Sequence, residues 1–213
     1  EKDLFFFLEK TRKLINEKEF KKINELANSD FLNPSFFVVA NILKKYSFHG
    51  LKINISSKIP KNLGSSSAVF SALSLSVLRT LDENPTKKEV SDFAYLGDVI
   101  AHGGTPSGID NSVVTFGGYL GYKKSTGVNS LNVDCKLPLL VVDSGEKSQT
   151  GKMVSLVRDK KIKFPKITNK ILDRLDDLSK EALKSLQKKE VSKLGKLMTS
   201  YYSELKRLNV STK

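Results

Sequence analysis

The stretch His102-Gly-Gly-Thr-Pro-Ser-Gly-Ile-Asp110-Asn-Ser-Val-Val-Thr-Phe-Gly-Gly118 is the part of the sequence that best predicts both the fold and the function. It places one carboxylate, Asp110, on a turn built from Gly, Thr, Pro and Ser, residue types that hold a tight backbone path. A carboxylate held in this way suits a group that must meet a substrate hydroxyl in a single geometry. The same pattern also suits an Asx-turn that closes a surface loop, and this stretch alone does not separate the two interpretations.

A second stretch, Lys58-Ile-Pro-Lys-Asn-Leu-Gly-Ser-Ser-Ser-Ala68, predicts a loop that binds phosphate. Before it, apolar and polar residues alternate over residues 50–57 and predict a strand. After it, residues 69–79 are apolar on most faces and predict a buried helix. The N–H groups that open a helix lack internal partners and carry partial positive charge, so they can hold an anion. Serines also cap helices when no ligand is present, and that alternative stays open here.

Together, the two stretches resemble the second motif and the catalytic-aspartate motif of the GHMP kinases, and most specifically those of the mevalonate kinase family. The family's loop ends in Gly-Leu-Gly-Ser-Ser-Ala, to which Leu63-Gly-Ser-Ser-Ser-Ala68 is similar. The family's pattern His-Gly-x-Pro-Ser-Gly-x-Asp-Asn, with a later Gly-Gly, resembles residues 102–118. Two weaker similarities lie in residues 142–158 and 197–211, so the resemblance spans about residues 50–213.

The resemblance implies an α+β fold with the two lobes of the GHMP kinases. Residues 1–136 are expected to form the α+β N-terminal lobe, with the phosphate loop and the catalytic aspartate, and residues 137–213 the start of a helical or α+β C-terminal lobe. It further implies ATP and Mg²⁺ as cofactors and phosphorylation of the C5 hydroxyl of mevalonate, which gives the isoprenoid precursor 5-phosphomevalonate. A homodimer is a reasonable expectation on the same grounds.

The resemblance also implies a role for each matching residue. Phosphoryl transfer depends mainly on positioning and charge neutralisation. By the resemblance, Asp110 is expected to accept the proton of the substrate hydroxyl or to orient that hydroxyl. Magnesium is expected between Ser66 and Asp98. The residues expected to bind the nucleotide phosphates are Leu63, Gly64, Ser65, Ser66 and Ser67, and those expected to contact substrate are His102, Thr105, Ser107 and Thr150. Structural alternatives stay open for His102, which can hydrogen-bond the backbone, and for Ser107, which can cap the turn.

The chain departs from the family pattern in several places. The opening motif, with its lysine near the catalytic aspartate, and the glycine-rich third motif are both missing, so the sequence is expected to be the middle of a kinase. The phosphate loop is a residue or two shorter than in the family. Asp98 stands where the family has a glutamate, and an extra glycine lengthens the turn that follows. A hard cation accepts either carboxylate, although aspartate is one methylene shorter.

Composition narrows the class of protein. With 213 residues and 39% hydrophobic residues, the chain is long enough to bury a substantial core. It has no apolar run near the roughly 20 residues that span a bilayer and no visible signal peptide. Its single cysteine, Cys135, excludes a disulfide framework and is expected to be a buried thiol, which favours a reducing cytoplasm.

The net charge of +13 raises the question of nucleic acid binding. The lysines are spread along the chain among acidic residues, and nothing resembles an RNA-binding platform of aromatic and basic residues. A phosphate-handling enzyme also gains from positive potential. We therefore expect small anionic ligands and no nucleic acid or membrane partner.

Periodicity and caps predict the remaining elements. Residues 3–47 predict two or three helices, and residues 87–101 a helix that brings Asp98 towards the His102 turn. Residues 113–122 predict a hairpin or a pair of short strands. Residues 139–142 predict a buried strand, and helices follow over residues 149–158, 168–186 and 191–208. Helices and strands in this order indicate an α+β protein.

Two rival functions remain open at this level. One is a GHMP kinase for another small alcohol, such as a sugar or phosphomevalonate. The other is a non-catalytic GHMP-like domain that binds a nucleotide or a partner and tolerates the substitution Asp110→Asn.

Overall fold

A computed structural model describes residues 2–46, 50–60, 63–81, 83–142 and 150–211; the side chains of residues 2 and 150–152 fall outside this description. The chain divides into two units, Glu1–Asn129 and Ser130–Lys213. The predicted lobe boundary, after residue 136, falls just inside the second unit.

The described residues of the first unit contain six helices and a hairpin, whose last two residues, Ser130 and Leu131, belong to the second unit. The helices are α1 (Lys2–Asn16), α2 (Phe20–Ser29), α3 (Asn33–Lys45), α4 (Ser65–Thr80), α5 (Lys87–Ala101) and α6 (Ile109–Phe116), and the hairpin pairs β1 (Tyr119–Lys123) with β2 (Gly127–Leu131). Local chemistry explains two of the starts. Pro34 occupies the first turn of α3, where a missing N–H does no harm, and the Thr86 hydroxyl caps α5 by accepting from the Glu89 N–H.

The core of the first unit lies on both sides of α3. On one side, α3 packs against α4 and α5 through buried residues that include Val38, Ile42, Phe70 and Leu78. On the other, Phe37 joins residues of α1, α2 and the last turn of α5. Gly97 allows α4 and α5 to approach closely, because a Cβ there would lie 2.5 Å from the Phe70 ring. This close contact positions the end of α5 beside the start of α4.

The described residues of the second unit form three helices: α7 (Thr150–Lys163), α8 (Pro165–Gln187) and α9 (Val191–Leu208). Pro165 opens α8, and Asn209 ends α9 in the left-handed conformation at φ 62°. Ile171, Leu175 and Leu208 form a small buried cluster between α8 and α9. No helix in the described part of the chain is both long and apolar enough to cross a membrane.

The helix-rich architecture with a small sheet confirms the predicted α+β class, but three predicted strand assignments are wrong. Residues 50–57 are extended but pair with no strand among the described residues, and Ile53 and Ile55 remain 41% and 43% exposed. Residues 139–142 are also unpaired, and their side chains are exposed rather than buried. A strand forms only when a neighbouring strand satisfies its backbone groups, and the described residues supply none at either place.

The third error concerns residues 113–122. Residues 113–116 form the second half of α6, and the hairpin begins only at Tyr119. In addition, Cys135 is half-buried rather than buried.

Candidate active site

The start of α4, the end of α5 and the start of α6 contribute the polar groups of the candidate site. Gly64 precedes α4 in the left-handed conformation, at φ +71°, and no side chain among the described residues caps the helix. The first-turn N–H groups, which carry the positive end of the helix dipole, are therefore available to an external anion. Ser66 is exposed at this helix start and Ser65 is half-buried, whereas Ser67 points into the protein and is 1% exposed.

A buried pair joins α4 to α5. The Ser67 hydroxyl lies 2.8 Å from Oδ1 and 2.9 Å from Oδ2 of Asp98, to which it donates. Both residues are 1% exposed. The predicted magnesium pair was Ser66 with Asp98, but the structure brings Ser67 to this carboxylate. Successive helical residues point about 100° apart, so Ser66 faces solvent when Ser67 faces α5.

The environment of Asp98 makes its charge unfavourable. Burial raises the pKa of the Asp98 carboxyl to about 6; the hydrogen bond from Ser67 and the charge of His102 act in the opposite direction, and the charge of Asp110 raises the pKa further. The influence of His102 and Asp110 on this pKa shows that three groups from the predicted site share one electrostatic environment. A cation beside Asp98 would restore its ionised form.

Asp110 lies in the first turn of α6, one residue after the helix begins. Its side chain is exposed, so a substrate can reach it. The positive end of a helix dipole favours a carboxylate at this position. The predicted turn is thus the start of a short helix, and Asp110 is presented by that helix rather than by a loop.

The turn before α6 is held by a tyrosine that the sequence analysis did not single out. The Tyr122 hydroxyl, on β1, donates to the Ser107 carbonyl at 2.9 Å, and the Ser107 hydroxyl accepts from the Ile109 N–H at 3.2 Å. Gly108 has φ +89°, and a Cβ there would lie 2.3 Å from the Tyr122 hydroxyl oxygen. These contacts favour the turn-capping role for Ser107.

The other predicted substrate contacts are more scattered. His102 caps the end of α5, where its backbone N–H donates to the Asp98 carbonyl at 2.9 Å, and Thr105 is exposed on the following turn. Thr150 opens α7 in the second unit, and its side chain is outside the described part of the structure. Leu63 is 51% exposed beside the loop.

The donor set suits Mg²⁺, although no cluster of three or more His, Cys, Asp or Glu side chains exists among the described residues. Magnesium in phosphate-transfer sites typically uses one or two carboxylates and takes its remaining ligands from substrate phosphates and water. The Asp98 carboxylate and the Ser67 hydroxyl meet that requirement, and the raised pKa of Asp98 is the shift that a bound cation would reverse.

An apolar groove adjoins the phosphate loop. Its volume is about 230 Å³, and it lies between the extended segment 53–59, including Ile53 and Ile55, and the face of α4 that carries Val69 and Ala72. A flat apolar ring fits such a groove better than a charged ligand does.

Comparisons with known proteins place the segment that carries this site in a family. Residues 35–118 match the family described as the GHMP kinases N terminal domain, so this segment of the chain belongs to the GHMP kinases. Within that family, the chain is similar to mevalonate kinases. It is 33% identical over 171 residues to the mevalonate kinase of Pyrococcus abyssi, a match that covers 77% of this chain and 50% of that protein.

The chain is also similar to two further mevalonate kinases. The mevalonate kinase of Schizosaccharomyces pombe is 29% identical over 185 residues, covering 76% of this chain and 46% of that protein. The crystal structure of L. major mevalonate kinase in complex with R-mevalonate superposes with a TM-score of 0.65 at 29% identity, covering 70% of this chain and 47% of that chain. The chain spans about half the length of the curated relatives it matches.

Proposed function

We propose that this protein transfers the γ-phosphate of ATP to the C5 hydroxyl of mevalonate, which gives 5-phosphomevalonate in the isoprenoid route. One observation supports the proposal most directly: an exposed carboxylate, Asp110, shares its electrostatic environment with a buried Ser67–Asp98 pair beside an uncapped helix start. The similarity to mevalonate kinases supports the choice of mevalonate as the acceptor of the phosphate.

The start of α4 is assigned to the nucleotide phosphates. Its unpaired N–H groups and dipole attract negative charge, and Gly64 lets phosphate approach the backbone closely because it has no side chain. The exposed hydroxyl of Ser66 adds a donor on the solvent side. The groove beside α4 would receive the adenine ring, so that base and phosphates lie along one helix.

Ser67 and Asp98 are assigned to Mg²⁺. When bound, this ion neutralises charge on the β- and γ-phosphates. The hydrogen bond from Ser67 holds the Asp98 carboxylate in one orientation, and burial keeps water from competing for it. These two residues therefore prepare the oxygen ligands in advance of nucleotide binding.

Asp110 is assigned to the acceptor hydroxyl. Its exposure lets the substrate oxygen reach the carboxylate, and the rigid turn that Tyr122 holds fixes its position at the start of α6. The carboxylate accepts the hydroxyl proton, or orients the hydroxyl oxygen towards the phosphorus atom, as transfer proceeds. His102 and Thr105 are assigned to substrate contacts in this proposal, whereas Ser107 is assigned to the turn.

A coupled assay of ADP release tests the acceptor. The protein is supplied with magnesium-ATP and, in separate reactions, with mevalonate, phosphomevalonate, and a panel of sugars and small alcohols. The proposal predicts turnover that depends on mevalonate. Turnover with another acceptor would assign a different GHMP kinase activity, and ATP binding without turnover would assign a non-catalytic nucleotide-binding domain.

A further inference from the structure

Helix α6 lies antiparallel to α5, and three contacts define its register. A Cβ on Gly108 would lie 3.7 Å from the Tyr95 ring, the Asn111 amide donates to Ser91, and the Lys87 ammonium donates to the Phe116 carbonyl at 3.0 Å. Residue numbers on α6 increase from 108 to 116 while those of the contacted residues on α5 decrease from 95 to 87, so the two helices run in opposite directions. Asp110 lies between the first two of these contacts, and Asp98 lies beyond Tyr95 on α5.

The contact of Asn111 is the buried one of the three. Asn111 is 4% exposed and Ser91 is 5% exposed. The Asn111 Nδ2 group donates to the Ser91 carbonyl at 3.0 Å and to the Ser91 hydroxyl at 2.9 Å. One side chain thus reaches both a main-chain and a side-chain acceptor on the neighbouring helix, next to the residue assigned to the acceptor hydroxyl.

Stability alone does not explain an amide at this position. The Asn111 Oδ1 atom is buried and has no hydrogen-bond partner among the described residues. A buried acceptor without a partner lowers stability, whereas a leucine of similar size carries no such atom. The amide provides direction instead, because its two donated bonds hold one orientation of α6 on α5.

We propose that Asn111 is a positioning residue for Asp110: its amide fixes the first turn of α6 on Ser91 and so sets where the Asp110 carboxylate stands relative to the Ser67–Asp98 pair. The proposal rests on the function proposed above, because it assigns Asn111 to the same phosphoryl transfer. A displacement of about 1 Å in a catalytic group can lower a rate by about a hundredfold, so a small shift of α6 would be measurable.

The test compares Asn111→Leu with Thr115→Val in the full-length protein. Both residues lie on α6 and both variants remove a hydrogen bond to a neighbouring helix, since the Thr115 hydroxyl lies 2.9 Å from the Ser71 hydroxyl on α4. Asn111→Leu is expected to lower kcat between about tenfold and a hundredfold, to leave the KM for magnesium-ATP within about twofold, and to leave the unfolding midpoint unchanged or higher. Thr115→Val is expected to leave kcat within about twofold of the wild type. Equal kcat values for the two variants would overturn the proposal.

A geometric readout separates this proposal from the proposed function. Absence of mevalonate-dependent turnover in the wild type would refute the function, and NMR then tests the positioning directly. Nuclear Overhauser effects between Gly108 and the Tyr95 ring are expected to weaken in Asn111→Leu and to persist in Thr115→Val. Unchanged effects in both variants would overturn the proposal.

A second variant covers failure of Asn111→Leu to fold. Asn111→Asp keeps the shape of the side chain but has no donor while it is ionised. Its kcat relative to the wild type is expected to fall at pH 8 and to recover as the pH is lowered, because a protonated carboxyl again donates to the Ser91 carbonyl. A ratio that stays near one at every pH would overturn the proposal.

Discussion

Asp98→Asn is expected to make the first unit more stable while weakening the magnesium binding that we propose for Asp98. The carboxyl of Asp98 is 1% exposed, and burial raises its pKa from 3.8 to about 6. Because the folded pKa lies above the unfolded one, the native state holds the proton more tightly, and its stability falls as the pH rises from about 4 to about 6. A shift of about two pKa units corresponds to about 3 kcal/mol of stability lost above that range. The amide of asparagine has no charge to desolvate, and its oxygen still accepts from Ser67.

The assay is urea unfolding followed by far-UV circular dichroism, since the chain has no tryptophan. The variant should exceed the wild type by up to about 3 kcal/mol at pH 8 and by nothing measurable near pH 3.5. Asp92→Asn serves as the matched control on the same helix: Asp92 is exposed and paired with Lys88, so its removal should change stability by less than about 1 kcal/mol. The prediction is wrong if Asp98→Asn is no more stable than the wild type at pH 8, or if the difference in unfolding free energy does not vary with pH. Either result would show that the buried charge of Asp98 does not destabilise the protein as its raised pKa indicates.

Three further predictions concern the loop, the turn and the pH dependence. Ser67→Ala should weaken magnesium-ADP binding more than Ser66→Ala, because only Ser67 contacts Asp98; isothermal titration would contradict this if Ser66→Ala had the larger effect. Gly108→Ala should lower the unfolding free energy by at least about 1 kcal/mol more than Gly127→Ala, because both have positive φ but only Gly108 faces the Tyr122 hydroxyl; equal losses in urea titrations would remove Tyr122 from the argument. Magnesium-ADP affinity should fall as the pH drops below about 6, where Asp98 takes up a proton, and a flat profile between pH 5 and 8 would show that its charge is not used.

Helices were predictable from the sequence where local signals agreed. Pro34 and Thr86 supplied start signals near the observed first turns of α3 and α5, and the apolar period supplied the buried face. The second half of α6 was not predictable in this way, because Val113, Val114 and Thr115 favour a strand on propensity. Tertiary contacts override that preference: Gly108 opens the helix, and Asn111 and Ser112 are buried within it.

The strand predictions failed for a different reason. Alternation in residues 50–57 describes which side chains would share a face, but a strand also needs a neighbour for its N–H and C=O groups. The described residues offer no such neighbour, so the segment stays extended and its isoleucines stay exposed. A pattern within one segment carries no information about its partner.

The candidate site was predictable at the level of segments and less so at the level of side chains. The sequence predicts a site at the Gly-Ser loop, Asp98 and Asp110. Three consecutive serines do not reveal which of them points towards α5, and the structure shows that it is Ser67. Asn111 directly follows Asp110 in the sequence, but the sequence pattern indicated no function for it. Its partner Ser91 lies 20 residues away, and nothing in the local pattern connects them.

In the function that we propose, Asp110 acts on the acceptor hydroxyl of mevalonate, the start of α4 binds the nucleotide phosphates and Asp98 binds the magnesium ion. The most direct test measures kcat and the dissociation constant of magnesium-ATP for the wild type and for Asp110→Asn, with mevalonate as the acceptor. Loss of a general base lowers kcat by about 10²–10⁴-fold, so the account predicts a loss of that size with the dissociation constant nearly unchanged. An Asp110→Asn protein that turns mevalonate over at the wild-type rate would contradict the account.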